Sequence, residues 1–194
     1  MPYRRAALAL ALMLAIAGCS SRDPAQGAIT ASEDLLAAIH EDAQAYAPDG
    51  YRELKAQLDS ARALFREERY QEAIAALDDL PERAGVLATA TAAAKERHRV
   101  ELTAAWSGLA ATLPGMLGAI ELRLTELGQM HRLPEGLDQA LIEEARAALG
   151  STRAAWDVAV GTHAAGDLGG AVGQGQEVQA LIHELMARLG IQPG

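Results

Sequence analysis

The residues best suited to hold a metal or move a proton are five histidines, His40, His98, His131, His163 and His183. No two of them stand three or four positions apart, and none follows a glutamate by three. The helical Glu-x-x-His pattern of di-iron carboxylate bundles is therefore missing. His-Glu-x-x-His and Cys-x-x-Cys-His are missing too, so zinc-protease and c-type haem chemistry have no carrier. His98 and Glu101, three apart, could share a helix face. Ser60, Ser107 and Ser151 sit inside helical patterns, not on a Gly-x-Ser-x-Gly elbow, and such serines bond to their own helix backbone. The acid pairs Glu143/Glu144 and Asp78/Asp79 read as solvated faces. The expectation is a protein that is not an enzyme and carries no metal or cofactor. Cys19 is the single cysteine, so its sulfur has no disulfide partner within the chain.

Aromatic residues make up only 4% of the chain. Phe65, Trp106 and Trp156 fall on apolar stripes and read first as core. If two of them met at a cleft, a small apolar pocket would follow. Trp106, Trp156, Phe65 and Tyr70 are accordingly the candidates for a ligand or partner surface. Gly166, Gly169, Gly170, Gly173 and Gly175 lack the lysine and spacing of a phosphate loop. They allow either a mobile recognition hinge or close helix approach through the pairs Gly166/Gly170 and Gly169/Gly173, and the second reading is preferred.

These residues are positioned by helices. Apolar residues recur at three and four, alanine and leucine dominate, and no stretch alternates in the manner of a strand. Ser32 reads as an N-cap, followed by a face of Leu35, Ile39 and Ala43. Pro48, Asp49 and Gly50 break that helix. Tyr51, Leu54, Leu58, Ala61 and Phe65 mark the next, and Arg66 to Arg69 form a charged turn. Tyr70, Ala73, Ile74, Leu77, Ala84 and Leu87 mark a third, with Pro81 kinking or splitting it. Leu102, Trp106, Leu109, Leu113, Met116, Ile120, Leu124 and Leu127 keep one phase across Pro114. That favours one kinked helix over two collinear ones. After a break at His131 to Gly136 come Leu137, Leu141, Ala145, Leu149, Thr152, Trp156, Ala159 and His163. Beyond the turn Ala165–Gly166–Asp167, a final stripe runs from Leu168 to Leu189, with Gly190 as its stop. The fold class predicted is all-α, an antiparallel bundle of five to seven helices.

Two stretches resemble each other. Leu58, Ser60, Arg62, Ala63 and Phe65 match Leu149, Ser151, Arg153, Ala154 and Trp156 at an offset of 91. Tyr70, Ala73 and Ile74 match Leu168, Ala171 and Val172 at an offset of 98. Both read as helix, tight turn, helix, so the bundle contains two similar hairpins, by duplication or by chance matching in an alanine-rich chain. Ala63, Phe65, Tyr70, Ala73 and Ile74 resemble a tetratricopeptide-type hairpin, though an array would need about three repeats at a period of roughly 34. Over residues 33–90, Tyr46-Ala47-Pro48, Tyr51, Leu54, Leu58, Ala61, Arg69, Tyr70 and Ala73 resemble a helical domain of unknown function. That domain occurs in Gram-negative envelope lipoproteins, sometimes ahead of an OmpA-like peptidoglycan-binding domain, and implies no catalytic residues.

The start of the chain carries an address. Arg4 and Arg5 precede an apolar run from Ala6 to Ala17, too short to span a bilayer as a stable helix. Ile16, Ala17, Gly18 and Cys19 then resemble the lipobox of bacterial lipoproteins. The resemblance implies removal of residues 1–18, lipidation of Cys19 and firm anchoring by several acyl chains. Ser20 after the cysteine points to the outer membrane, facing the periplasm, with the inner membrane as the alternative. The organisation predicted is a signal peptide over 1–18, a flexible tether over 19–32 and a single helical domain over 33–190. Cleavage takes away two arginines and no acid, moving the formal charge from −9 to −11. That balance excludes nucleic acid as a partner. The functional expectation is a lipid-anchored scaffolding or protein-interaction module, its partners the membrane, through the anchor, and another envelope protein. The alternative is a bundle that binds a small apolar ligand.

Overall fold

The computed structural model describes residues 21–191. Cys19 and the rest of the lipobox lie outside the described residues. The fold is an all-α helical bundle, and no strand occurs among the described residues. The helices are α1 (Arg22–Tyr46), α2 (Pro48–Arg66), α3 (Tyr70–Ala75), α4 (Leu80–Gln129), α5 (Gln139–Ala164) and α6 (Leu168–Arg188). They form two compact units, one ending at Arg97 and the other beginning at His98. The single domain expected over 33–190 is thus two units, because the apolar side chains segregate into two separate cores.

The first unit packs α1, α2, α3 and the start of α4. Its core is Ile29, Leu36, Leu54, Leu58, Ala61, Leu77, Leu80 and Ala84, with Ile39, Tyr51, Phe65 and Leu87 packed against it. The tether expected over 19–32 is replaced from Arg22 onward by helix α1. Pro24 falls in the first turn, where no backbone N–H is required of it, and so does not prevent the helix. Ala25, Ile29, Ser32 and Leu36 then form one buried stripe at helical spacing. Ser32 is not a cap: it lies inside α1, buried, with its Oγ donating to the carbonyl of Ala28 at 2.8 Å. The Nε2 of Gln71 donates to Ser21 Oγ at 2.6 Å, tying the start of α1 to α3. Leu35 is exposed, so the buried face runs through Leu36 instead.

Pro48 acts as expected. It ends α1 and opens α2, while Gly50 lies within the first turn of α2. Pro81 divides the predicted third helix in two: α3 stops at Ala75, and α4 restarts at Leu80 with the proline in its first turn. From there α4 is one continuous helix of 50 residues with Pro114 inside it. Between the buried residues Thr91 and Trp106 no residue is buried, yet the helix persists, carried by alanine-rich sequence.

The second unit packs the later part of α4 against α5 and α6. Trp106, Leu109, Leu113, Leu117, Ile120, Leu124 and Leu127 meet Ile142, Ala145, Leu149 and Ala159 of α5. The α6 residues Ala171, Val172, Val178, Ile182, Leu185 and Met186 complete the core with Leu189. Asp138 caps α5, accepting from the Leu141 N–H at 2.8 Å. Leu137, expected inside that helix, lies ahead of it and packs against the core.

The hairpins α2–α3 and α5–α6 turn in the same way. Glu67, Glu68 and Arg69 donate backbone N–H bonds to Ala63, Phe65 and Leu64; Ala165, Gly166 and Asp167 donate to Gly161, His163 and Thr162. Every one of these six residues and acceptors maps onto its counterpart at an offset of 98. The buried stripes follow the same offset: Ala61 with Ala159, Ala73 with Ala171, Leu80 with Val178, Ala84 with Ile182. The offset of 91 read ahead of the turn is therefore one heptad out of register. Residues seven apart lie on nearly the same helix face, drifting by only about 20°, so the two registers look alike in sequence.

Candidate functional site

Each hairpin brings two of the aromatic candidates together, in separate units. Phe65 closes α2 and Tyr70 opens α3, and their rings meet edge to face at 5.2 Å. This pair clamps the turn and leaves no cleft between its rings. In the second unit, Trp106 of α4 stacks on Trp156 of α5 at 5.3 Å with 19° between the planes. Trp106 also stacks on His163 at 4.6 Å and 10°. Trp156 and His163 stand two helical turns apart, so one indole is engaged by rings from both. The two tryptophans thus meet ring to ring, each indole filling the space that the other faces. His163 was placed on the helix stripe by its spacing, but nothing in the sequence pairs it with Trp106, which is seated on another helix.

Gly175 is what admits this arrangement. A Cβ there would stand 2.9 Å from a methyl of Leu109 and 3.6 Å from the Trp156 ring. The predicted glycine pairs do not act as packing surfaces: Gly169 meets only its own turn, and Gly173 has open space around it. Gly166 serves the turn, at φ +90°. Gly170 serves the N-cap, where its N–H donates to Asp167 Oδ1 at 2.8 Å and a Cβ would collide with the same carboxylate. Glycine at this helix start therefore answers three different local demands.

Charged side chains pair both along single helices and across them. Arg62 of α2 donates through Nε and Nη2 to Glu33 of α1 at 3.1 and 2.7 Å. Lys95 donates to Asp42 at 2.8 Å. The Arg69 hydrogen bonds hold the Glu72 carboxyl below its ordinary range, and those of Arg153 do the same for Glu121. Both pairs are exposed, so solvent screens them and their contribution to stability is small. That contribution is present above the ordinary carboxylate range and lost as the pH falls through the lowered values. Among the described residues there is no group of three or more histidine, cysteine or acidic side chains able to hold a metal, and no helix long and apolar enough to cross a membrane.

Surface cavities run between helix pairs within each unit. One of about 300 Å3 lies between α2 and α4, lined by Gly50, Leu54, Arg83, Val86 and Leu87. Another of about 320 Å3 lies between α1 and α4, beside Asp42, Thr91 and Lys95. In the second unit, Glu121, Arg146 and Arg153 border a cavity of about 290 Å3.

A fourth cavity, of about 310 Å3, lies between α1 and α2. Glu33, Leu36, Ala37 and His40 line it from α1 at spacings of three, four and seven. Tyr51, Lys55, Leu58 and Arg62 line it from α2 at four, seven and eleven. A hydrogen bond of 2.9 Å joins His40 Nδ1 to the Tyr51 hydroxyl across the groove. Leu36 and Leu58 form its floor. Of these residues the sequence singled out only His40, as a possible metal ligand or proton carrier, and marked Tyr51 and Leu58 as an apolar stripe; the groove itself was not expected. Their helical spacing was visible, but which face of α1 meets which face of α2 was not. Comparison with protein-family models, curated proteins and solved structures gives no match.

Proposed function

We propose that this protein is a lipid-anchored, periplasm-facing envelope protein that works as a non-catalytic interaction or scaffolding module. The observation that carries the reading is the run Ile16-Ala17-Gly18-Cys19 after a positively charged, apolar start. Acylation at Cys19 would hold the helical units at a membrane face, since two or more chains anchor where one holds only marginally. Supporting evidence comes from the body of the protein: two units built on the same helical hairpin, with cross-helix ion pairs on their surfaces. Such helical surfaces suit contact with another protein.

Labelling with a palmitate analogue in a Gram-negative host tests the anchor. Wild-type protein takes up label and fractionates with the outer membrane; Cys19→Ala takes up none and accumulates as uncleaved precursor. Absence of label in the wild type overturns the reading. In-cell crosslinking of the anchored protein then captures its envelope partner, and a chain that crosslinks to nothing in the envelope counts against a scaffolding role.

A further inference from the structure

We propose that the groove between α1 and α2 binds a small amphiphilic carboxylate, its apolar chain along Leu36, Ala37 and Leu58 and its head at Lys55. Of the cations that line the cavities described above, Arg83 is paired with Glu53, Lys95 with Asp42, Arg146 with Glu143, Arg153 with Glu121 and Arg62 with Glu33. Lys55 alone has no hydrogen bond or ion pair. It is one of only two lysines in a chain of formal charge −9, where carboxylates outnumber cations. It stands on the α2 face that also carries Tyr51, one turn before it, and Leu58, one turn after it. The same groove therefore presents an apolar floor, a free positive charge and a hydrogen-bonding pair in His40 and Tyr51.

Charge complementarity selects the head group. Lys55 favours an anion, while Glu33, already engaged by Arg62, does not compete for Lys55. A carboxylate at Lys55 lies within one turn of the Tyr51 hydroxyl, which can donate to it once released from His40. The size selects the tail. At about 310 Å3 the groove is at the small end of ligand sites, suited to roughly ten non-hydrogen atoms. A single unbranched chain of about eight carbons fits the space, and a bilayer lipid does not.

Titration of the full chain with octanoate and, separately, with octanol tests the assignment, read by amide chemical shifts and by calorimetry. Octanoate shifts resonances of Leu36, Ala37, Lys55 and Leu58 and binds about fivefold more tightly than octanol at low salt, the scale of one exposed ion pair. High salt and Lys55→Gln both erase that preference while leaving octanol binding unchanged. Ala37→Leu, which fills the groove from an exposed helical position, weakens both ligands at least tenfold with the circular dichroism spectrum intact. Equal affinity for the two ligands, an unchanged preference in Lys55→Gln, or shifts centred elsewhere, at Trp106 and Trp156 for instance, overturns the proposal. No detectable binding of octanoate overturns it as well. Should Ala37→Leu fail to fold, the Lys55→Gln comparison still decides.

Discussion

Glu68 and Gly166 occupy the same position in the two hairpins and meet the same demand unequally. Each has positive φ, 61° at Glu68 and 90° at Gly166, in the turn that ends one helix and begins the next. A residue with a Cβ is strained there by about 1–2 kcal/mol, and glycine is not. Glu68→Gly is therefore expected to stabilise the first unit by about 1 kcal/mol after glycine's greater unfolded-state entropy is counted. Gly166→Ala is expected to destabilise the second by a similar amount. Urea unfolding followed by circular dichroism checks both, and the two midpoints should move in opposite directions. The turn was legible from Ala165–Gly166–Asp167. In the first hairpin only the charged run Arg66 to Arg69 marked it, because glutamate does not advertise a left-handed backbone.

At the scale of the element, α6 shows how opposite faces of one helix treat glycine differently. Gly173 is exposed with nothing near its absent Cβ, whereas Gly175 is buried against Leu109 and Trp156. Gly173→Ala is expected to gain about 1 kcal/mol from helix propensity alone. Gly175→Leu is expected to lose about 1–3 kcal/mol through overpacking. It should also change the near-ultraviolet circular dichroism, as Trp156 is pushed off Trp106. An unaltered tryptophan signal in Gly175→Leu would remove this account of the stack. Both glycines belong to one cluster in sequence; the helical stripe through Val172 and Val178 already sets Gly175 apart from Gly173, and the tertiary structure adds the neighbours it meets, Leu109 and Trp156. The start of α1 departs from its loop-like composition for a related reason. Pro24 and Gly27 are loop-like by composition, but Ala25 and Ile29 have a core to enter.

For the whole molecule, α4 contributes residues to both cores, Leu80 and Ala84 to the first and Trp106 to Leu127 to the second. Residues 92–104 contain no buried side chain, so local opening there disrupts little tertiary packing. Amide hydrogen exchange should therefore be faster in the middle of this stretch than at Leu58 in the first core or Ile182 in the second. Equal protection across all three would argue that the stretch is packed in solution. The sequence carried apolar stripes on both sides of this region and gave no sign that they serve different cores. A periodic pattern reports which face of a helix is apolar and is silent about what covers it.

Helical character, the stops at Pro48 and Gly190, and the hairpin likeness were all determined by the sequence alone, because they depend on local backbone preference and a period of 3.6 residues. The cysteine that carries the proposed anchor was likewise legible as a short linear motif. Tertiary structure alone decided the two cores, the single 98-residue register, the Trp106–Trp156–His163 stack and the groove beside Lys55. Each of these joins residues on different helices, and a shift of one heptad leaves the apolar face nearly unchanged while exchanging every partner across it.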